Sequence, residues 1–210
     1  MVNKLTGPLS DTLNVTNENV LVMGFGRKYL EALGIENAYY AIPNGYPIEH
    51  WPSIRPFRTV VVDEKSMPFQ PNTWDIVIVI HFMEFGGNNP FFLQELRRII
   101  KNGGKLMIIA ANKNSVFPKK CAIRNIKVSV GGIVSSLLSA SFEATNVFGV
   151  NDRFGFWPYS FSYHLNKYSE VLMDIFPLLS NIVVIIAEKV ELAGVPLKTL
   201  DAPVTAAGVQ

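Results

Sequence analysis

Short apolar runs alternate along the chain with segments of helical period. Asn19 to Met23 (NVLVM) runs into Gly24-Phe25-Gly26, Ala38 to Ile42 (AYYAI) into Pro43-Asn44-Gly45, and Thr59 to Val62 (TVVV) into Asp63. Each reads as a strand followed by a turn. Ile76 to Ile80 (IVIVI) is apolar at every position, which suits a central strand buried on both faces. Asn88-Asn89-Pro90 supplies capping residues and an early-helix proline. From there to Lys101 the apolar positions Phe92, Leu93, Leu96, Ile99 and Ile100 follow a helical period, and Asn102-Gly103-Gly104 is expected to stop the helix.

Lys105 to Ala110 (KLMIIA) is the next strand. Gly131 to Ser141 reads as a helix weakened by its glycines and serines. Phe142 to Val150 and Asn181 to Val190 are the last two strands, separated by the aromatic-rich segment Phe154 to Tyr163 and a helix from about Asn166 to Phe176. The alternation predicts an α/β fold of seven strands, a mostly parallel sheet with helices on both faces. No internal repeat interrupts it.

The length of 210 residues suits one domain, assigned to 1–192. Residues 193–210 are small, aperiodic and carry two prolines, and are expected to form a disordered tail. A hydrophobic fraction of 49% excludes disorder of the whole chain, and a net charge of +2 with scattered Lys and Arg gives no footprint of a dedicated nucleic-acid binder. The single cysteine, Cys121, and the absence of an apolar leader in Met1 to Ser10 suggest a reducing, cytoplasmic setting. Ile76 to Phe85 and Ile175 to Ala187 are too short or too interrupted to span a bilayer, so no transmembrane segment is expected. Cys121 and the three histidines show no metal-ligand spacing.

Gly24 and Gly26 directly follow the first strand, where a sharp backbone turn lies at the edge that binds ligands in open α/β sheets. An ordinary strand-to-helix turn explains the pair equally well. The dinucleotide fingerprint G-x-G-x-x-G would need a glycine where Tyr29 stands, which disfavours a nicotinamide or flavin site.

The order of the motifs carries more. Val20-Leu21-Val22-Met23-Gly24-Phe25-Gly26, then Asp63-Glu64-Lys65-Ser66-Met67-Pro68-Phe69, then Gln70 to Asp75 with IVIVIHFMEF, then Leu96 to Gly104 (LRRIIKNGG), resemble in sequence the class I S-adenosylmethionine-dependent methyltransferases. The resemblance is to the small type 11 methyltransferase domain and covers about Asn19 to Ala110. It implies a Rossmann-like doubly wound sheet with its last strand antiparallel and S-adenosylmethionine as cofactor. It further implies a cofactor site formed by Gly24, Phe25, Gly26, Asn44, Asp63 and Glu64, with Asp63 accepting from the adenine amino group. His50-Trp51-Pro52 and Arg58 to Glu64 resemble a divergent bacterial branch of that family.

Three departures bear on activity. Val22 replaces the family's usual first-strand acid, Lys28 its third glycine, and Ile42-Pro43-Asn44-Gly45 the turn that normally carries a ribose-binding acid. Asn44 offers a neutral partner there, and a neutral hydrogen bond is worth roughly half a charge-assisted one, so weaker cofactor binding is expected.

His81 ends the fourth strand beside the expected place of the reacting methyl. It is the candidate catalytic residue, with three roles open: general base, substrate hydrogen-bonding group, or a buried histidine satisfied by the backbone. Glu84 reads as a structural or cofactor-edge contact. Trp157 and Tyr159, in the aromatic segment after the sixth strand, are candidate substrate-binding residues, forming either a lid for an apolar acceptor or packing over the sheet edge. The sequence therefore suggests methyl transfer to a small-molecule or lipid-like acceptor, with a noncatalytic methyltransferase-like binding protein as the alternative. Nucleic acid is disfavoured as acceptor because Ile80-His81-Phe82-Met83 replaces the Asn/Asp-Pro-Pro-Tyr type motif of amino-methylating enzymes.

Overall fold

The computed structural model describes residues 19–24, 35, 37–44, 58–84, 89–114, 128–150 and 180–191. In chain order the elements are β1 (Val20–Gly24), β2 (Tyr39–Pro43), β3 (Thr59–Val62), β4 (Trp74–Ile80), α1 (Pro90–Ile99), β5 (Ile100–Ala111), α2 (Val130–Ser139), β6 (Phe142–Val150) and β7 (Ile182–Lys189). All seven strands join one sheet in the order β3-β2-β1-β4-β5-β7-β6. The first five pair in parallel, and β7 is inserted antiparallel between β5 and β6. The expected mostly parallel, Rossmann-like sheet with an antiparallel last strand is what forms.

The alternation of side chains along each strand divides the core into two faces. Leu21, Met23, Val77, Val79, Leu106, Ile108, Val183 and Ile185 pack with Phe92, Leu93, Leu96 and Ile99 of α1 and Val130, Ile133 and Leu137 of α2. Val20, Val22, Ile76, Ile78, Ile80, Met107, Ile109, Val184 and Ile186 form the second face, which is equally buried and includes Ile35. A strand buried on both faces must be apolar throughout, and IVIVI is the sequence trace of that position.

Local chemistry sets the helix ends. Asn89 accepts the Phe91 N–H at 3.1 Å ahead of Pro90, satisfying a donor that the first turn leaves unpaired. α1 stops at Ile99, two residues before the expected end, because Ile100 pairs with Trp74 as the first residue of β5. Its last carbonyls do not go unpaired. Asn72 N–H donates to Arg98 O at 2.9 Å and Thr73 N–H to Ile99 O at 2.8 Å. In α2 the serines are neutralised as helix breakers: Ser129 caps by accepting from Gly132 N–H, while the Ser136 and Ser139 hydroxyls donate to carbonyls one turn back.

Candidate functional site

Strand order reverses between β1 and β4. One half of the parallel sheet runs outward as β1, β2, β3 and the other as β4, β5, so the carboxyl ends of β1 and β4 flank a topological switch point where open α/β sheets bind ligands. Gly24 and Ile80 are register partners at that point, and Ile80 in turn pairs with Ile109 of β5. Gly24 has φ +101°, and a Cβ there would stand 1.9 Å from the Ile80 carbonyl oxygen. Only glycine permits this turn.

Along the same edge, Asn44 follows β2 and donates its backbone N–H to Val62 O at 2.8 Å, fixing it beside β3. Asp63 follows β3 and is exposed. Its Oδ1 accepts the Lys65 N–H at 2.9 Å, and its backbone carbonyl accepts the Ser66 N–H, closing a turn that also carries the half-buried Glu64. Among the described residues Asp63 Oδ2 takes no hydrogen bond, which leaves it open to a ligand donor. Phe25 and Gly26 lie outside the described residues, as do Trp157, Tyr159 and Cys121.

The loop behind Asp63 is braced from α1. Arg98 donates to Met67 O at 2.8 Å and Phe69 O at 2.7 Å while forming a two-pronged contact with Glu95, whose Oε2 also accepts the Met67 N–H. The hydrogen bonds from Arg98 chiefly, with help from the Met67 N–H, hold the Glu95 carboxyl below the usual glutamate range despite its partial burial. Behind the loop, Phe69 packs edge-on to Trp74 at 5.3 Å between ring centres.

His81 follows β4 directly. Its N–H continues the ladder to Ile109 O at 2.7 Å, and its backbone then turns to φ +52°, a conformation uncommon for residues other than glycine. The half-buried imidazole meets Glu84 with Nδ1 2.9 Å from Oε1. Glu84 is buried, and the same Oε1 accepts the Ala111 N–H at the end of β5, while Oε2 is enclosed with no hydrogen-bond partner among the described residues. The spacing His-x-x-Glu was visible in the sequence, but the bond to Ala111 depends on the β4–β5 register and was not. A second buried polar cluster closes the next stretch of this edge: Asn112 Nδ2 donates to Ser180 O at 2.9 Å and its backbone N–H to Asn181 O, and the Ser180 hydroxyl donates to Ile182 O.

Gly24, Asn44, Asp63 and His81, drawn from four separate turns, thus share one edge of the sheet. Asp63 and His81 are three strand spacings apart, about 14 Å at roughly 4.8 Å per strand. Residues 24–108 match the family described as "Methyltransferase domain". Over that stretch, which is less than half of the chain, the sequence is that of a methyltransferase domain.

A SAM dependent methyltransferase from Archaeoglobus fulgidus superposes with a TM-score of 0.59 at 17% identity, covering 90% of this chain and 95% of that one. The [4+2]-cyclase SpnF superposes with a TM-score of 0.58 at 14% identity, covering 89% of this chain and 80% of that one. At such identities the likeness speaks for the fold alone. An uncharacterized protein of Methanocaldococcus jannaschii is 36% identical over 63 residues, which are 30% of this chain and 28% of that relative. The cofactor of this methyltransferase domain is S-adenosylmethionine, and the edge suits it. A glycine turn brings bare backbone to the switch point, and Asp63 presents an exposed carboxylate further along the same edge. No helix among the described residues is long and apolar enough to cross a membrane.

Proposed function

We propose that the protein transfers the methyl group of S-adenosylmethionine to a small-molecule or lipid-like acceptor. The observation that carries this reading is that Gly24, Asn44, Asp63 and His81 follow four neighbouring strands along the sheet edge that holds the switch point, in a chain matched by a methyltransferase domain. Bound there, the cofactor supplies a methyl group on a sulfonium that is already a reactive donor.

The chain's own part is to bind, orient and exclude water. Gly24, with Phe25 and Gly26 after it in sequence, is assigned to the methionine part, Asn44 to the ribose side, and Asp63 with Glu64 to the adenine side. His81, at the end of β4, acts on the acceptor. Trp157 and Tyr159 form its apolar wall, a role supported by the direction of β6, whose end at Val150 aligns through Ile182 with Ala111 on the ligand edge. Holding the reacting atoms at about 3 to 3.5 Å with correct alignment is the main source of rate in such a transfer. A cytoplasmic location belongs to the same reading.

A noncatalytic binding role is favoured by the departures at Val22 and Lys28 and by the neutral Asn44, which follows β2 where an acid would hold the ribose more strongly. SpnF illustrates that the fold also serves a protein named for a different reaction. Release of S-adenosylhomocysteine on incubation of the protein with S-adenosylmethionine and metabolite or lipid extracts separates the two. Turnover on an extract supports the enzyme, and cofactor binding without turnover on any of them supports the binding protein.

A further inference from the structure

We infer that Arg98, with Glu95, is the positioning residue for the adenine side of the cofactor site: from α1 the pair clamps the turn that carries Asp63, and so sets cofactor affinity through that turn. The inference rests on the methyl-transfer reading above and adds to it a control of cofactor binding exerted from α1.

The Asp63 turn is held at two ends. At the first, Val62 is paired with Pro43 in the sheet and its carbonyl accepts the Asn44 N–H at 2.8 Å. Within the turn, the Asp63 carbonyl accepts the Ser66 N–H at 3.1 Å and Oδ1 accepts the Lys65 N–H at 2.9 Å, and the second of these bonds aims the carboxylate. At the other end Met67 is buried, and α1 takes both of its backbone groups. Its N–H donates to Glu95 Oε2 at 2.8 Å, and its carbonyl accepts from Arg98 Nη2 at 2.8 Å. An exposed carboxylate is only as well oriented as the backbone beneath it, so the clamp at Met67 keeps the Lys65 N–H in place under Asp63.

Arg98 suits the task by shape. Its planar guanidinium reaches Phe69 O through Nη1 at 2.7 Å, Met67 O through Nη2, and both Glu95 oxygens through Nε and Nη2. Its backbone carbonyl also accepts the Asn72 N–H at 2.9 Å, so one residue holds the loop at Met67, Phe69 and Asn72. The adjacent Arg97 points its donors elsewhere, to Ser141 O at 2.7 Å and Val190 O at 3.0 Å beside the start of β6 and the end of β7. Two neighbouring arginines thus anchor the same helix to different places, and only Arg98 is tied to the cofactor loop.

The test is a double-mutant cycle read by calorimetric titration of S-adenosylhomocysteine into full-length wild type, Asp63→Ala, Arg98→Ala and the double variant, with Arg97→Ala as the control for a lost anchor of α1. Arg98→Ala should weaken binding about tenfold in the presence of Asp63 and less than about twofold in the Asp63→Ala background, where the group to be positioned is gone. Arg97→Ala should lower the urea midpoint and leave affinity within about twofold. Unchanged affinity in Arg98→Ala, an equal loss in both backgrounds, or the same loss in Arg97→Ala would overturn the inference and leave the methyl-transfer reading standing. Absence of binding by wild type would overturn that reading and the inference with it.

Glu95→Gln keeps an oxygen for the Met67 N–H and loses the charge that holds Arg98, and it stands in should Arg98→Ala fail to fold. It should weaken binding about threefold, again only when Asp63 is present. Hydrogen exchange without ligand gives a second readout: the Lys65 and Ser66 amides should exchange several-fold faster in Glu95→Gln than in wild type or Arg97→Ala. Equal rates in all three would show that the turn holds itself and would contradict the clamp.

Discussion

Gly24 and Ile80 face each other across β1 and β4 so closely that the space for a Cβ on Gly24 is already taken by the Ile80 carbonyl oxygen, 1.9 Å away. The contact lies at the one place where strand order reverses, and it explains why the first strand ends in glycine. Gly24→Ala must shift backbone in one strand or the other and also adopt φ +101°, so it should destabilise the fold by about 3 kcal/mol or more. Chemical denaturation measures this directly, and a loss below about 1 kcal/mol would mean that the two strand ends can separate freely.

The brace between α1 and the loop behind Asp63 predicts an acid-side dependence of stability. Glu95 is held below its ordinary range in the folded protein, chiefly by Arg98. Its contribution is therefore fully present above the unfolded glutamate range and is lost as pH falls through the lower folded value. Glu95→Gln should flatten that part of the profile below about pH 4.5 and leave the slope near neutrality unchanged. Arg98→Ala removes the donors to Met67 and Phe69 together with the ion pair and should cost about 2 kcal/mol. Urea midpoints of both variants across pH 3 to 7 check the pair, at roughly half-unit steps.

His81 and the cofactor residues should separate kinetically. If His81 acts on the acceptor, His81→Ala lowers turnover by about 100-fold or more while leaving cofactor affinity within about tenfold, roughly 1.4 kcal/mol. A lowered melting temperature with unchanged kcat would instead make the ring a structural element of the β4–β5 edge.

Much of this architecture was legible in the sequence because the strands that fix it are buried on both faces. IVIVI and, after Lys105, LMIIA have no polar position that a surface strand would need, and the turns behind β1, β2 and β3 announce themselves by Gly24, Asn44 and Asp63. The end of α1 was less legible. Leu96 to Ile100 keeps a helical period, but pairing of Ile100 with Trp74 converts the next residues to strand, a tertiary effect that no local pattern encodes. The same holds for Glu84. Its spacing from His81 is local, whereas its anchoring by Ala111 follows from the register between β4 and β5. The candidate wall residues Trp157 and Tyr159 fall outside the described residues, so their role rests on the sequence and on where β6 ends.

The central claim is that S-adenosylmethionine binds at the edge formed by Gly24, Asn44 and Asp63. Asp63 offers a carboxylate whose orientation is already fixed by the Lys65 N–H, so its removal deletes an acceptor without disturbing the sheet. Isothermal titration of S-adenosylhomocysteine into wild type and Asp63→Ala is the most direct measurement. Saturable binding by wild type, weakened in the variant by about 1.5 to 3 kcal/mol, is the predicted result. Equal affinities would remove Asp63 from the site, and no binding by wild type at about millimolar ligand, the weakest range a specific small-molecule site occupies, would contradict the claim.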